Sequence, residues 1–523
     1  MAETKFQPSA VRKETYSNGL ENQLLELKSS EQLKTFRQLR SEAQKHTWNP
    51  VYHFYAPDGR INDPNGLCFW RGRYHLFYQA YPPKDPRQHW GHAVSTDMVH
   101  WIDLPLAIYP DQEYAVFSGT TLVEEDRVIA MYHGRWVGNM IAYASDDLLL
   151  NWEKEEANPV IPSLPGQNER QGRPYSIFDP FLWKEDTGYY ALSGTLYGDM
   201  EQRGRCHRNR MVEHLFHSQN LKQWAYMGEL APGGFPQIPL GNDGACPYFL
   251  PLGNRHVLFT FSHATGAYVT LGDYDPVTHR FTPDLTHKFN FGPVGCSSYQ
   301  APCAMSDGNG GIWFILNTKD ADSHLERQGA MSLMYHLTLD EQGELRMCPV
   351  SAIDSLHGRH GHTDRTRLES RKPVVFRERG KALDIQCELE RGSARAFLLS
   401  VFQSQDGREH TDIVLHMPPE HTPETAYVTV DTLHASLSEE IQSRIPESTA
   451  LTLHPDEKIH LRVLLDHCML EVFVNDRVVL MQSVYPVLED SDGISLTAIG
   501  GNGTLEYADI WEMNSIYSPD ATI

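Results

Sequence analysis

The sequence of 523 residues lacks both a long apolar stretch and a basic cluster. No run approaches the roughly 20 apolar residues that cross a bilayer, which argues against a membrane-spanning helix. Asp and Glu outnumber Lys and Arg by 68 to 45, giving a formal net charge of -23. Because phosphate contacts need Lys and Arg, nucleic acid and anionic membranes are unexpected partners. A neutral ligand such as a carbohydrate fits this balance.

Paired cysteines and an export signal are also missing. The 8 cysteines are scattered, and no Cys-Xaa-Xaa-Cys pair occurs. We therefore expect mostly reduced, buried thiols. The first residues, MAETKFQPSAVRKE, have neither the apolar segment nor the cleavage site of a secretory signal. The sequence thus predicts a cytoplasmic protein.

The chain is long enough for two or three domains. Residues 20–46 repeat apolar side chains every three to four positions, which predicts a helix that packs on the main body or on a neighbouring subunit of a possible homo-oligomer. From about residue 50, short β-rich runs alternate with Gly, Pro, Asp and Asn. The expected units are a helical extension (1–47), a first β domain (48–355), a linker (356–372) and a second β domain (373–523).

A short phrase occurs three times in the first β domain. It reads Ser, any residue, Asp or Asn, an apolar residue and then Trp, and it ends at Trp101, Trp152 and Trp224. Ser and Asp start turns, and Trp fills space between packed sheets. Such spacing in an all-β sequence predicts the blades of a β-propeller.

The expected linker is rich in His and Arg. His357, His360 and His362 could ligate a metal. No carboxylate or cysteine cluster of suitable spacing accompanies them in the sequence. An exposed linker without a metal is therefore the expectation.

Acids, amides and aromatics recur at predicted strand ends. The segment 62–66, Asn-Asp-Pro-Asn-Gly, would be an ordinary turn if taken alone. Similar residues follow at Gln79, Trp90, 117–119 and 178–180. In a propeller such side chains can converge on the central pocket, so these positions are the candidate site.

These motifs together resemble glycoside hydrolase family 32, the invertases, inulinases and related β-fructofuranosidases. The matching segments, in the family's order, are NDPNG (62–66), YHLFYQ (74–79), WGHAVSTDMVHW (90–101), FSG (117–119) and LRVLLDHCMLEVFVNDR (461–477). The resemblance covers roughly 48–515. It implies an all-β chain, with a five-bladed β-propeller followed by a C-terminal β-sandwich.

The resemblance also implies roles for the candidate residues. A retaining glycosidase uses two carboxyl groups about 5–5.5 Å apart, one as nucleophile and one as acid and base. Asp63 would be the nucleophile, and Asp179 would stabilise the transition state. The other implied roles are hydrogen-bond donors (Asn62, Gln79), pocket walls (Trp90, Phe117) and a polar contact (Ser118).

The sequence departs from the family pattern at two positions. Phe178 stands where the family has an Arg before Asp179, which suggests an altered substrate. Ala245 stands where the family has its acid/base Glu, and alanine cannot donate a proton. Three explanations remain open: a deliberate Glu-to-Ala change, a natural variant that uses another acid such as Asp243, or a non-catalytic sugar-binding relative.

The expected activity is release of terminal β-linked fructose from a small fructoside, such as sucrose, inulobiose or a short fructo-oligosaccharide. Fructosyl transfer shares the first half-reaction, so the sequence does not separate it from hydrolysis. A fructoside-binding protein and, more distantly, an α-L-arabinofuranosidase-like enzyme are the alternatives. The two-carboxylate mechanism needs no cofactor, and none is expected.

Overall fold

The computed structural model is built almost entirely of β-strands. It describes residues 6–163, 173–195, 210–292, 298–319, 328–418, 424–441, 444–454 and 457–517. The described part contains two α-helices near the N-terminus, a first domain of five antiparallel sheets, and a second domain of two larger sheets. The expected all-β class is confirmed.

The N-terminal helices are α1 (Leu20–Leu27) and α2 (Glu31–Ala43). Ser30 caps α2, because its hydroxyl accepts a hydrogen bond from the backbone N–H of Leu33 at 3.2 Å. The apolar face of α2 is buried against the first domain, and Arg40 forms an ion pair with Asp103 of the first sheet at 2.8 Å. The predicted helix is therefore two helices, docked on the body of the same chain.

The first domain consists of consecutive antiparallel sheets, each of which meanders through four or five strands. The first holds β1 (Ile61–Trp70), β2 (Arg73–Ala80), β3 (His89–Ser95) and β4 (Ile102–Ile108). The second holds β5 (Val116–Val123), β6 (Val128–Gly134), β7 (Gly138–Ala144), β8 (Glu153–Lys154) and β9 (Ile161–Pro162). The third holds β10 (Pro180–Glu185), β11 (Gly188–Ser193), β12 (His214–Ser218) and β13 (Ala225–Glu229).

Two further sheets complete this domain. The fourth holds β14 (Ala245–Leu252), β15 (Arg255–Ser262), β16 (Gly266–Asp275) and β17 (Arg280–Lys288). The fifth holds β18 (Ser298–Ser306), β19 (Ile312–Lys319), β20 (Ala330–Met331), β21 (Tyr335–Leu339) and β22 (Leu345–Pro349). The first strands of successive sheets contact each other in the order β1, β5, β10, β14, β18, and β18 contacts β1. This circular order is that of a β-propeller.

The repeated phrase forms a turn at the outer end of a sheet, as its chemistry predicts. In the first copy the Ser95 hydroxyl accepts from the N–H of Met98 at 2.9 Å, and the Trp101 indole donates to the Met98 carbonyl at 3.1 Å. The third copy repeats both bonds: Ser218 accepts from Leu221, whose carbonyl accepts from Trp224. The phrase therefore fixes the connection between the third and fourth strands of a sheet.

The second domain follows a short 3₁₀ helix (Ser351–Leu356) and consists of two antiparallel sheets. One contains β23 (His357–Thr363), β24 (Thr366–Leu368), β26 (Ala382–Glu390), β31 (Ile459–Asp466), β32 (Met469–Val474), β33 (Val478–Ser483) and β35 (Gly503–Met513). The other contains β25 (Val374–Val375), β27 (Ala396–Gln403), β28 (Thr411–His416), β29 (Thr425–Asp431), β30 (Glu447–Thr452) and β34 (Gly493–Ile499). Apolar residues of both sheets share one core, which is the packing of a β-sandwich.

The segment 356–372 differs from the predicted linker, because β23 and β24 lie within it and both pair with β35. The polar composition has a physical reason. β23 is an edge strand, and its side chains from His357 to Thr363 are all exposed or half-buried. An edge strand with charged side chains also resists pairing with another chain.

The structure bears on two expectations from the composition, the absence of a membrane-spanning helix and the state of the cysteines. In the part of the chain that the structure describes, no helix is both long and apolar enough to cross a membrane. Six cysteines fall in that part, with no disulfide among them, and all but Cys348 are buried. Cys206 and Cys296 lie outside the described residues.

Candidate active site

Irregular backbone marks the place where the candidate residues gather. In four of the five sheets of the first domain, the pairing of the first two strands shifts register near the start of the first strand. The segments between the paired positions are 62–63, 117–118, 246–247 and 300–301. Bulges redirect side chains and occur often beside active sites. Here they carry Asp63, Ser118 and Cys246 toward one another.

The Asp63 carboxylate lies at the centre of this group and is half-buried. Its Oδ2 atom accepts hydrogen bonds from the Ser118 hydroxyl at 2.5 Å and from the Gln79 amide at 3.1 Å. Gln79 also donates to Ser118 at 2.8 Å and accepts from Asn62 at 2.9 Å. These two donors fix the position of one carboxylate oxygen and so the orientation of the side chain.

A second carboxylate, Asp179, reaches the same place from the start of the third sheet. Its Oδ2 atom accepts from the backbone N–H of Cys246 at 3.2 Å, and the Cys246 sulfur lies 3.5 Å from it. The same sulfur lies 3.8 Å from Oδ2 of Asp63. The thiol is therefore positioned between the two carboxylates. Burial, together with Asp179 and Asp63, holds the pKa of Cys246 well above its usual range, so the thiol stays neutral.

Ala245 is the first residue of β14 and is buried beside this group. Cys246, which follows it, has a φ of 50°, a left-handed conformation that is strained for a residue with a side chain. Asp243, the alternative acid, accepts from the His263 backbone N–H at 3.2 Å and pairs with the His263 ring at 2.6 Å. Its carboxylate is thus already bound by a neighbouring side chain.

The aromatic residues predicted at the site, Trp90, Phe117 and Phe178, lie in two different environments. Trp90 is fully buried, and its indole donates to the Phe117 carbonyl at 2.9 Å. It therefore holds the segment of Phe117 and Ser118 in place, and its role as a pocket wall stays a prediction. Phe117 and Phe178 both pack on the ring of His133, with centroids 6.0 and 5.5 Å away. Phe178 thus fills apolar space next to Asp179.

Several further polar residues at this end of the first domain belong to no motif that the sequence reveals. Asn317 donates to the Asn62 side chain at 3.3 Å, and the side chain of Gln300 is buried in the bulge of β18. The most unusual is Glu213, whose carboxyl is buried and has no hydrogen-bond partner among the described residues. Because these residues belong to β19, to β18 and to the position before β12, no local motif connects them to Asp63.

Two groups with metal-ligating side chains occur in the described residues, both in the second domain. One is His360, His362 and Asp509, of which the histidines are exposed. The other is Asp354, His357 and Asp384, where the Arg462 guanidinium already pairs with both carboxylates. Neither group lies with Asp63 and Asp179, so neither is part of the candidate active site.

Comparison with protein families gives two adjoining matches that follow the domain division. Residues 53–349 match the model described as "Glycosyl hydrolases family 32 N-terminal domain". Residues 352–512 match the model described as "Glycosyl hydrolases family 32 C terminal". The boundary between the matches falls at the 3₁₀ helix that joins the two domains.

Curated relatives match over parts or nearly all of the chain. Sucrose-6-phosphate hydrolase of Zymomonas mobilis is 34% identical over 226 residues, which are 40% of this chain and 42% of that protein. The matched segment is therefore less than half of that relative. Raffinose invertase of Escherichia coli is 26% identical over 506 residues, covering 90% of this chain and 96% of that protein.

Solved structures share the fold at low sequence identity. Fructan 1-exohydrolase IIa from Cichorium intybus superposes with a TM-score of 0.78 at 21% identity, covering 90% of this chain and 98% of that one. Sucrose-6-phosphate hydrolase from Lactobacillus gasseri gives 0.73 at 22% identity, covering 93% and 97%. The arrangement of a propeller followed by a sandwich is thus shared along almost the whole length.

Proposed function

This chain belongs to glycosyl hydrolase family 32, and we propose that it releases terminal β-linked fructose from a small fructoside. Sucrose, inulobiose and short fructo-oligosaccharides are the proposed substrates. The observation that carries the proposal is the Asp63 carboxylate, which Ser118 and Gln79 hold in place beside a second acid, Asp179. Retention of configuration is part of the proposal, with Asp63 as one of the two carboxyl groups that this mechanism needs.

We assign Asp63 the role of nucleophile. Its fixed orientation supports attack on the anomeric carbon, because positioned reactants need less reorganisation in the transition state. We assign Asp179 to the sugar hydroxyls, where a carboxylate forms hydrogen bonds that strengthen as the oxocarbenium-like charge develops. Asn62, Gln79 and Ser118 are the proposed polar contacts around the nucleophile.

The proposed site lies at one end of the central axis of the propeller. We count the five sheets of the first domain as five blades, which the circular order of first-strand contacts supports. The bulges sit where the first strands begin, so candidate residues from several blades face a common centre. Phe117 and Phe178 would then form the apolar side of the sugar pocket.

Position 245 decides how complete the catalytic machinery is. By resemblance it is the place of the acid/base carboxyl, and the alanine side chain cannot transfer a proton. General acid/base catalysis contributes about 10²–10⁴-fold. Either another carboxyl supplies the proton, or turnover is lowered by that factor.

A direct test is to measure fructose release from sucrose and inulobiose with the wild-type protein and with Asp63→Asn. We expect release by the wild-type protein and none above background by the variant, whose amide cannot attack carbon. Circular dichroism and the melting temperature serve as the control that the variant is folded. Release that persists in Asp63→Asn contradicts the assignment of the nucleophile.

Ala245 specifically favours a second candidate, a protein that binds fructosides without cleaving them. Calorimetry distinguishes the two, because a binding protein would hold sucrose for hours without change. Product analysis at high sucrose concentration separates hydrolysis, which gives free fructose, from transfer, which gives longer saccharides.

A further inference from the structure

Glu213 is a buried acid that the mechanism so far does not use. Only 1% of its surface is exposed, and neither carboxyl oxygen has a hydrogen-bond partner within the described residues. Leaving a buried carboxyl without a hydrogen-bond partner is unfavourable, even when the group is neutral. A side chain kept at such a cost needs a reason other than stability.

The carboxyl of Glu213 lies next to the backbone of the residue before Ala245. A Cβ atom placed on Gly244 would lie 2.2 Å from Oε1 of Glu213, closer than any real contact. Gly244 also has a φ of 62°, in the left-handed region that favours glycine. Glycine at 244 thus leaves the space that the Glu213 carboxyl occupies, one residue from the place of the missing acid.

The dipeptide Gly194-Thr195 forms hydrogen bonds with the backbone next to Glu213 and with the backbone of the two neighbouring acids. The N–H of Gly194 donates to the Asp179 carbonyl at 3.2 Å, and the N–H of Thr195 donates to the Asp243 carbonyl at 3.0 Å. The Thr195 hydroxyl donates to the carbonyl of Val212, which precedes Glu213, at 3.0 Å. The two residues that follow β11 therefore fix the backbone beside all three acids.

The surroundings favour the protonated form of Glu213. Burial is the main cause, and the nearby carboxylates of Asp179 and Asp243 add to it, so the pKa of Glu213 is held well above its usual range. A carboxylic acid that keeps its proton near neutral pH is what a general acid requires. Asp243 is less suited, because the His263 ring binds its carboxylate.

We infer that Glu213 replaces the absent side chain at position 245 as the general acid and base of this enzyme, an inference that rests on the proposed function. In the first step an Asp63 oxygen bonds to the anomeric carbon, the bond to the leaving oxygen breaks with its electron pair, and Glu213 gives that oxygen its proton. In the second step Glu213 takes a proton from water. The water oxygen then displaces Asp63 from the anomeric carbon, which restores both acids.

The side chain of Glu213 has the freedom that this role needs. Its carboxyl has no hydrogen bond to break within the described residues. Ala245 bears only a methyl group, so residue 245 itself does not occupy the volume that a longer acid would take. In the inferred mechanism the Glu213 carboxyl turns past Gly244 toward the leaving oxygen by rotation about its side-chain bonds.

The test compares wild type and Glu213→Gln on two fructosides with different leaving groups. Sucrose needs a proton on its leaving oxygen, whereas p-nitrophenyl β-D-fructofuranoside expels a stable phenolate. We expect kcat/KM on sucrose to fall about 10²–10⁴-fold and kcat/KM on the nitrophenyl substrate to fall less than about tenfold. Sodium azide, which needs no general base, should speed the variant on the nitrophenyl substrate and yield fructosyl azide.

Asp243→Asn is the matched control, since it changes an adjacent buried acid. We expect a loss below about tenfold on both substrates and no azide effect. Adding Ala245→Glu to Glu213→Gln should restore sucrose cleavage, which also shows that the variant folds. Equal rates of wild type and Glu213→Gln, or equal losses on both substrates in a folded variant, overturn the inference alone. Failure of the wild type on both fructosides overturns the proposed function with it.

Discussion

The hydroxyl of Ser118 donates a 2.5 Å hydrogen bond to Oδ2 of Asp63, across the bulges of two neighbouring sheets. Gln79 donates to both partners, so the three side chains form a closed group. This geometry keeps the proposed nucleophile in one orientation, and both bonds to Asp63 use the same oxygen, Oδ2.

Ser118→Ala is expected to lower kcat more than it changes KM. A hydrogen bond to a charged group contributes about 1.5–3 kcal/mol, which corresponds to a loss of about tenfold to hundredfold. Steady-state rates on sucrose measure it. Ser400→Ala is the control, because Ser400 makes a similar 2.6 Å bond to Asp412 in the sandwich. Equal effects of the two changes on kcat would contradict the role of Ser118.

Gly244→Ala is expected to destabilise the protein by more than backbone strain alone. Left-handed backbone costs an L-residue about 1–2 kcal/mol, and at Gly244 the added methyl would also meet the Glu213 carboxyl. Gly308→Ala is the matched control, because Gly308 has a φ of 78° but nothing within 4 Å of an added Cβ.

Urea unfolding of both variants measures the difference. Combining Gly244→Ala with Glu213→Ala should recover part of the loss, as a double-mutant cycle. An additive result would show that the carboxyl does not occupy this space.

Stability is expected to fall as the pH rises, because of a buried histidine between the two domains. His53 lies 2.8 Å from Asp466 and 3.3 Å from Glu471 of the sandwich. Burial by itself lowers the pKa of His53, but the two carboxylates outweigh it and raise the pKa to about 9. Since the unfolded value is about 6.5, this contribution is complete below about pH 6.5 and is lost as the pH passes 9.

The measurement is the free energy of unfolding between pH 6 and 10. His53→Gln should reduce the loss of unfolding free energy over this pH range by on the order of 3 kcal/mol. His460→Gln, at an exposed position of β31, should leave that loss unchanged. A wild-type curve that rises through this range contradicts the assignment.

The N-terminal helices are expected to contribute to stability rather than to form a loose extension. The Arg40 side chain is only 11% exposed, pairs with Asp103 and donates to the Tyr55 carbonyl. Breaking a buried pair costs about 3–5 kcal/mol. Arg40→Met should therefore lower the melting temperature strongly, while Lys34→Met, which breaks the exposed pair with Glu31, should not. Equal melting temperatures would show that α2 is not part of the cooperative unit.

Local chemistry made much of the molecule predictable. The turn ending at Trp101 follows from side-chain hydrogen bonds within seven residues, so its sequence is enough to identify it. The segment 356–372 was predicted wrongly as a linker, because its polar residues are also what an edge strand requires. Apolar and polar residues alternate along a strand only where one face of the strand is buried, and β23 has no buried residue.

The sequence alone determined the β-rich composition, the repeated turns, the family resemblance and the candidates Asp63, Asp179 and Ala245, because each depends on residue types at short or ordered spacings. Only the tertiary structure decided that the Trp90 indole bonds to the Phe117 carbonyl and that Glu213 lies beside Gly244. Glu213 and Gly244 are 31 positions apart and precede strands of different sheets. They meet because of the way in which the sheets pack around the axis. No local pattern records that packing, and for this reason the proposed acid could not be found from the sequence.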